Sequence, residues 1–397
     1  MTTGFRPVRL WTVPRLAGWE APTPPACYPV RLGETSRRAP AYRGTVERRT
    51  PEFKRNGDRI NMNANQIMER QQDDGSTGDF KEKLAFHHVP VMCTEVVDVI
   101  GMVPAGLIVD ATVGGGGHAA AILAARPDLR ILGIDRDESA LVAAVAHLAP
   151  FGERVALHRS AFGDFSSALA ALEGAQISGF LFDLGVSSAQ LDQVHRGFSY
   201  RDAGPLDMRM DQRQQLTADD VVNGYPEADL AGVLWRHADE RYARRIARSL
   251  VAARPVTDTS VLAELVRQAI PAPARRRGGH PAKRTFQAIR IEVNGELDQL
   301  AGALDSAINH LVPGGRGVVL SYHSGEDRIV KDRFDQAATG GCTCPPRLPC
   351  GCGAEPRAVL PRRSGWTPSS YETERNPRAA SARLRVVERI ERRGGQR

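Results

Sequence analysis

The sequence predicts an α/β fold in which a mostly parallel, doubly wound sheet is interrupted by an inserted all-helical domain. Two apolar runs that each end in an acid, at 106–110 and 130–135, flank a glycine-rich loop at 114–117. Strand, glycine turn, helix, strand and acid is the order found in the nucleotide-binding half of such a sheet. The apolar spacing then changes to helical periodicity between about 193 and 283 and changes back afterwards, which indicates an insertion.

Short apolar runs predict the remaining strands, and periodic runs predict the helices between them. Further strands are predicted at 154–158, 177–182 and 317–322. Helices are predicted at 95–100, at 119–126 and from 285 to 311. Residues 381–392 are predicted to form a final strand or helix.

These patterns divide the chain into five segments. They are a disordered extension (1–82), a Rossmann-like domain in two parts (83–192 and 284–335), an inserted helical domain (193–283), a Cys/Pro/Gly-rich loop (336–380) and a C-terminal segment (381–397). The extension is assigned because it is rich in Pro, Arg and polar residues and lacks periodicity. A transit peptide, and a start codon assigned too early with Met62 or Met68 as the true start, are alternatives for it.

Composition and charge exclude some classes of protein. Of the 397 residues, 42% are hydrophobic and 25% are charged, which is typical of a globular protein. No uncharged apolar run reaches the length of a membrane span, and we expect a cytoplasmic protein. The net charge of +7 favours a polyanionic partner. Basic residues cluster at 275–277 and at Lys283 and Arg284, where a solvated surface is the alternative to nucleic-acid contact.

Four of the six cysteines form two C-x-C pairs five residues apart: Cys342 with Cys344, and Cys350 with Cys352. Six cysteines so distributed do not indicate the disulfide scaffold of a secreted protein. Four thiolates are able to bind a tetrahedral zinc ion, although the usual zinc spacing is C-x-x-C. Reduced thiols and a redox pair are the alternatives, and we assign no metal ligand in the predicted functional site.

The glycine loop departs from the G-x-G-x-x-G pattern of dinucleotide sites. Asp110, Thr112, Gly114 and Gly116 alternate instead, as in the acidic loop of class I S-adenosylmethionine-dependent methyltransferases. That cofactor carries a cationic sulfonium and an ammonium but no phosphate, so an acid beside the loop suits it. Asp135, at the tip of the next strand, is placed to accept both hydroxyls of a ribose. A plain αβ turn and an NAD(P)-dependent oxidoreductase are the alternatives.

Polar motifs follow two strands at the edge where an open α/β sheet binds its ligands. Asp183 follows the fourth strand, and its carboxylate is suited to accept an N–H of a nucleobase amino group and so make that nitrogen a better nucleophile. A helix N-cap is its alternative role. His323 and Glu326 follow a late strand, and we predict catalytic roles for them beside Asp183. A capped histidine and a surface ion cluster are the alternatives.

Taken together, these segments resemble the small-subunit ribosomal RNA (cytosine-N4)-methyltransferase H family of bacteria. The resemblance runs from about 88 to 387, with motifs in order at 88–91, 110–118, 135–137, 183–192, 196–199, 204–211, 280–282, 285–291 and 376–378. It implies a Rossmann-like class I methyltransferase that methylates a cytosine N4 in the decoding region of 16S RNA. The implied partner is 16S RNA or the small ribosomal subunit. A non-catalytic RNA-binding or ribosome-assembly protein is the alternative, and the oligomeric state is left open.

The same resemblance implies a set of contacts to S-adenosylmethionine. They are Gly116, Gly117, His118, Asp135, Phe162, Asp183 and Gln190. Phe165 is the alternative to Phe162, because the loop before it is longer than usual. By position alone, His118 also fits a capping or packing role, and Phe162 a core role. The chain departs from the family at Gly325, where a leucine is usual, and at Ala379 and Ala380, where a second basic residue is common.

Overall fold

The structure is a computed structural model, and it describes residues 10–12, 90–170, 175–276, 279–345 and 351–391. Most of the predicted disordered extension therefore lies outside the described residues. Its exception is Leu10–Thr12, which forms strand β1 and pairs antiparallel with the edge of the sheet.

The described strands form a single sheet of eight, in the order β1-β4-β3-β2-β5-β6-β8-β7. After β1, their bounds are β2 Gly106–Asp110, β3 Leu129–Asp135, β4 Val155–Arg159, β5 Ile177–Asp183, β6 Leu311–Ser321, β7 Ala358–Val359 and β8 Arg383–Arg389. The five strands from β2 to β6 pair in parallel. Strand β8 runs antiparallel to β6 and β7. The chain therefore has the predicted Rossmann-like α/β fold, and the final element is a strand.

The order of the strands creates a crevice at one position. From β2 the chain winds outward through β3 and β4, and it then returns to place β5 on the other side of β2. Such a switch point opens a crevice at the carboxyl ends of the two central strands, where ligands of open α/β sheets bind. Asp110 ends β2 and Asp183 ends β5, so both predicted acids lie at this crevice.

Helices cover the sheet and fill the segment between β5 and β6. Their bounds are α1 Cys93–Ile100, α2 Gly117–Ala125, α3 Glu138–Leu148, α4 Phe165–Ala170, α5 Ser188–Asp192, α6 Glu227–Ala238, α7 Ala243–Ala252, α8 Thr259–Ala269, α9 Ala272–Arg275, α10 Lys283–Asn294, α11 Glu296–His310, α12 Ser324–Thr339 and α13 Ser370–Arg375. Among the described residues, no helix has both the length and the apolarity that a bilayer crossing requires.

Neighbouring strand residues enter separate cores on the two faces of the sheet. Ile108 belongs to the core that also contains Ile100 and Leu123, whereas Val109 belongs to the core that contains Phe165 and Phe334. This alternation is expected because successive side chains of a strand point to opposite faces. Both faces are covered, which explains why the strands read as continuous apolar runs rather than alternating ones.

The helices between β5 and β6 have a third core of their own. It is built from α6, α7 and α8, with Leu234, Ile246 and Leu262 fully buried. Helix α10 joins this core through Phe286 and Ile289. The predicted boundary at 283 is the first residue of α10, so a helix predicted to belong to the Rossmann-like domain packs against the helical segment.

Three predicted elements differ from the structure. The helix expected from 285 to 311 is two helices, because Gly295 adopts a left-handed conformation (φ 57°) and ends α10. Strand β6 begins at Leu311 rather than at 317. The segment 336–380 was predicted as loop, but it contains the end of α12, the short strand β7 and helix α13.

Candidate active site

The ends of β2 and β5 are tied together at the switch point. The Thr112 side-chain oxygen accepts the backbone N–H of Asp183 at 2.6 Å. The backbone N–H of Thr112 in turn donates to the Asp110 carboxylate at 3.3 Å. Thr112 stands where the acidic methyltransferase loop usually has a glycine, and its hydroxyl here fixes the two acids relative to each other.

Asp110 is buried, with 1% of its surface exposed. Burial raises its pKa to about 7, although the nearby His118 and the Thr112 N–H lower it. Burial makes the ionised form of this carboxyl costly, and a cation beside it would offset that cost. The site therefore favours a positively charged ligand.

The Asp135 carboxylate accepts two backbone N–H groups, one of which comes from the glycine loop. One Asp135 oxygen accepts the N–H of Gly114 and the other accepts the N–H of Asp137, each at 2.9 Å. Burial raises the pKa of Asp135 to about 6 against these two hydrogen bonds. Each carboxylate oxygen keeps a further lone pair, so the predicted contact with ribose hydroxyls remains available to it.

Gly116 and Gly117 form the turn into α2. Gly116 has φ 83°, and a Cβ added to it would lie 2.9 Å from Leu148. A Cβ on Gly117 would lie 2.6 Å from the Pro90 ring. Both positions therefore require glycine.

His118 follows this turn and is buried. Within the described part of the chain, neither of its ring nitrogens has a hydrogen-bond partner. Its Nε2 atom lies 3.6 Å from the second Asp183 oxygen. Unpartnered buried polar atoms are rare, and this imidazole at the switch point fits a residue that is completed by a ligand.

Asp183, at the end of β5, contacts residues that follow β2 and β6. Its first oxygen accepts the Tyr322 hydroxyl at 2.7 Å, and Tyr322 directly follows β6. Burial, followed by the charge of Asp183, raises the pKa of Tyr322 above its ordinary value, so the phenol stays protonated and donates. Tyr322 was not predicted as a site residue, although it is the last residue of the strand predicted at 317–322.

His323 and Glu326 form a capping box at the start of α12. The Glu326 backbone N–H donates to His323 Nδ1 at 3.4 Å, and Glu326 accepts the backbone N–H groups of Tyr322 and His323 at 2.7 and 3.3 Å. The His323 Nε2 atom lies 3.1 Å from Glu326. The pair therefore fixes the chain next to Asp183, and its predicted catalytic role stays a prediction.

The Gln190 side chain forms hydrogen bonds with other residues of the chain. It caps α5 together with Ser187, and its side-chain amide donates to Asp137 at 2.8 Å. Asp137 also binds Arg196 at 2.8 Å, in an ion pair that is nearly completely buried. Burial raises the pKa of Asp137, but hydrogen bonds from Arg196, Ser139 and Gln190 outweigh it and lower the pKa overall. This network joins the loops after β3 and β5, and no local sequence pattern predicts it.

The two candidate phenylalanines differ in exposure. Phe165 is fully buried and stacks on Phe182 with ring centres 6.0 Å apart. Phe162 is only partly buried and meets Phe182 edge-on at 5.9 Å. Phe162 is therefore the one that keeps exposed surface, which favours it over Phe165 as a stacking partner.

Part of the helical segment lies beside this site. The Ser324 hydroxyl, next to His323, donates to Asp239 at 3.4 Å, and Asp239 ends α6. Helix α7 begins at Ala243, and it exposes Arg244, Arg245 and Arg248 while its apolar residues are buried. Arg241, which comes just before this helix, is exposed as well. Trp235, on the preceding helix, is exposed as well. Exposed basic residues therefore follow the point where the helical segment contacts the edge of the crevice.

The basic cluster at 275–284 is partly used for internal contacts. Arg275 donates to the carbonyl of Ile270 at 2.6 Å, and Arg284 donates to the carbonyl of Asp239 at 3.0 Å. Arg276 and Lys283 are exposed, and Arg277 lies outside the described residues. The cluster thus offers fewer available charges than its sequence indicates.

Three carboxylates, a buried imidazole and a glycine turn thus converge on one crevice. The chemistry of this set fits a ligand with positive charge and with hydroxyls, and it does not fit a pyrophosphate, which the acids would repel.

Known proteins with similar sequences cover most of this chain. The profile of the MraW methylase family matches residues 85–390. A protein of Heliobacterium mobile named Ribosomal RNA small subunit methyltransferase H is 47% identical over 313 residues, covering 77% of this chain and 100% of that protein. Proteins of the same name from Mycobacterium sp. (strain KMS) and Frankia alni are 48% and 51% identical. They cover 80% and 76% of this chain, and 88% and 95% of their own lengths is matched.

Proposed function

Because the chain belongs to the MraW methylase family, we propose that it transfers a methyl group from S-adenosylmethionine to the N4 of a cytosine in the decoding region of 16S ribosomal RNA. The observation that carries the proposal is the Asp183 carboxylate, held by Tyr322 and facing His118. The shared name of the relatives supports a small-subunit ribosomal RNA substrate. The reaction belongs to the cytoplasm, on 16S RNA or the small subunit.

S-adenosylmethionine, when bound, supplies an electrophilic methyl group on a sulfonium. The residues that would hold it lie around the glycine turn: Gly116, Gly117, His118, Asp135, Phe162, Asp183 and Gln190. Asp135 would accept the ribose hydroxyls, and the ring of Phe162 would stack on the adenine. The buried Asp110 carboxyl would face the cationic end. Gln190 would act by fixing the loop after β5 through Asp137.

Asp183 would prepare the nucleobase. The lone pair of a cytosine amino group is delocalised into the ring, which makes the nitrogen a poor nucleophile. A carboxylate that accepts one N–H of this group localises the lone pair and orients it. The Tyr322 hydroxyl donates to one Asp183 oxygen and holds the carboxylate in place, so Tyr322 is a positioning residue.

Methyl transfer leaves the amino nitrogen with one proton in excess. We assign its removal to Asp183 or His323. Glu326 would hold His323 in orientation through the capping box. We assign the helical segment 193–283 to gripping the RNA, with the basic surface of α7 leading away from the crevice.

The test is methylation of small subunits from a strain that lacks the chromosomal copy of this protein. Methyl-labelled S-adenosylmethionine is supplied, and the RNA is digested to nucleosides and separated by liquid chromatography with mass spectrometry. The expected product is N4-methylcytidine. Label on carbon 5 or on adenosine contradicts the proposed position, and binding of RNA without any transfer favours the non-catalytic alternative.

Two variants connect the product to the geometry. Asp183→Asn should lower kcat by at least about a hundredfold, the usual scale for a general acid–base group. Tyr322→Phe should lower kcat by about tenfold, because one hydrogen bond to a charged group is lost. The matched control is Tyr225→Phe, which removes a hydroxyl bonded to Glu292 in the helical segment. Equal rates for the two tyrosine variants would contradict the role of Tyr322.

A further inference from the structure

We propose that Cys342, Cys344 and Cys352 bind one structural zinc ion through their Sγ atoms. The three sulfurs all lie within 4.8 Å of one another, and those of Cys342 and Cys352 are 3.6 Å apart. None of these residues belongs to the proposed methyl-transfer site, so the metal site stands or falls separately from that function.

The spacing of the sulfurs fits a tetrahedral zinc site. A zinc–sulfur bond of about 2.3 Å places two sulfurs of a tetrahedron about 3.8 Å apart, close to the Cys342–Cys352 separation. A disulfide requires a sulfur–sulfur distance of about 2.05 Å. Thiolates favour zinc over magnesium, calcium or manganese, which prefer oxygen ligands. The three sulfurs supply three of the four ligands of a structural zinc; Cys350 lies outside the described residues.

Apolar burial does not account for the convergence of the sulfurs. Among the described residues at 341–345 and 351–357, none is buried. Holding such a segment in one conformation costs about 1–2 kcal/mol per residue, and closely spaced thiolates repel each other. A metal ion repays both costs, because its binding free energy becomes folding free energy.

The backbone shows where the loop is closed. Gly340, in the left-handed region at φ 66°, ends α12, and a Cβ on it would lie 2.4 Å from the backbone of Glu355. The Arg357 backbone N–H donates to the carbonyl of Ala337 at 2.9 Å. The chain thus leaves α12 and returns against it, with the three sulfurs between the two ends. Zinc at this position would fasten the loop that connects α12 to β7.

The experiment is metal analysis of the full chain, purified without chelators and passed through a metal-free column. We expect about one zinc per chain in the wild type and in the control Cys93→Ala, which alters a buried cysteine of α1. In Cys342→Ser and in Cys352→Ser the zinc should fall to the level of the buffer. Circular dichroism and S-adenosylmethionine binding report whether each variant is folded.

Two further measurements keep the outcome decisive. Limited trypsin digestion should cut the segment 342–357 faster in folded Cys342→Ser than in the wild type, because zinc no longer holds the loop in one conformation. Intact mass without reductant should show no loss of hydrogen from a Cys342–Cys352 disulfide. A folded wild type without zinc, zinc retained by both serine variants, iron or copper in its place, or a disulfide would each overturn the proposal.

Discussion

We expect Asp110 to make cofactor binding depend on pH. Its pKa lies at about 7 in the folded chain, against an ordinary value of 3.8, because burial disfavours the charged form. Its neutral form therefore stabilises the fold at low pH, and this contribution is lost as pH rises through about 7. A cationic ligand requires the opposite, ionised form. We predict that affinity for S-adenosylmethionine falls by up to about tenfold per pH unit below pH 7 and is level above it, as measured by calorimetry.

Asp110→Asn is the control for this dependence. The variant keeps the shape of the side chain but does not ionise, so its affinity should be lower at pH 8 and nearly constant between pH 5 and 8. Asp135 titrates in the same direction, with a pKa at about 6, and would leave a smaller residual slope. A slope in Asp110→Asn equal to that of the wild type would assign the titration elsewhere.

Asp135→Ala should weaken S-adenosylmethionine binding by about 2–4 kcal/mol, since two hydrogen bonds to a charged acceptor are lost. The predicted change in Kd is therefore about thirtyfold to a thousandfold. Asp128→Ala is the control, because Asp128 is an exposed acid paired with Arg126 just before β3. Unchanged affinity in Asp135→Ala would remove the ribose assignment.

At the scale of elements, two glycines of one predicted helix behave differently. Gly295 ends α10 in the left-handed region, whereas Gly302 lies inside α11. The sequence does not separate them, because an isolated glycine is tolerated within a helix. The end of α10 is held by residues that are distant in the sequence. The buried Asn294 side chain forms hydrogen bonds with the backbone of Met208 and Met210 at 2.8 and 2.9 Å.

These glycines give opposite predictions for stability. Gly295→Ala should lower the free energy of unfolding by about 1–2 kcal/mol, because a Cβ is strained in the left-handed region. Gly302→Ala is its matched control and should raise stability by about 0.5–1 kcal/mol, since alanine is the better helix former and nothing lies within 4 Å of the new Cβ. Urea titrations of both variants measure these changes. A loss of stability in both would contradict the assigned conformations.

The strands were the elements that the sequence predicted best. Their apolar runs are bounded by acids and glycines, and all strands of the parallel core were placed within two residues except β6. The beginning of β6 was missed because Pro313, Gly314 and Gly315 read as a turn, whereas in the structure the strand already starts at Leu311. The edge strand β7 has only two residues, too few to give a period.

At the scale of the molecule, the exposed arginines of α7 give a prediction for RNA binding. If Arg244 and Arg245 contact phosphates, replacing both by glutamine should flatten the log–log salt dependence of RNA affinity by about 1.4–1.8 units. The control replaces Arg267 and Arg333, which are already paired with acids. The same double change at Arg276 and Lys283 tests the second basic cluster. An unaltered slope in Arg244→Gln/Arg245→Gln would show that α7 faces away from the RNA.

The site as a whole was partly predictable. Acids at the carboxyl ends of parallel strands lie at the same edge of a sheet, so the sequence predicts that Asp110 and Asp183 share one edge. The contacts that fix them do not. Tyr322 and Asp183 are 139 residues apart, and Arg196 and Asp137 are 59 apart. Such pairs depend on which strands become neighbours and on how far each loop folds back, and no local pattern records either.

Single substitutions at Arg196 or Asp137 should be rare during the evolution of this protein, because each would break the buried ion pair. Loss of either partner would leave the other as an unpaired buried charge, at a cost of about 3–5 kcal/mol. That cost is a large part of the free energy of unfolding of a typical domain, which is about 5–15 kcal/mol. Replacement of both by apolar residues of similar volume is often close to neutral. The two positions are therefore expected to be inherited as a unit, and a descendant that has changed one should also have changed the other.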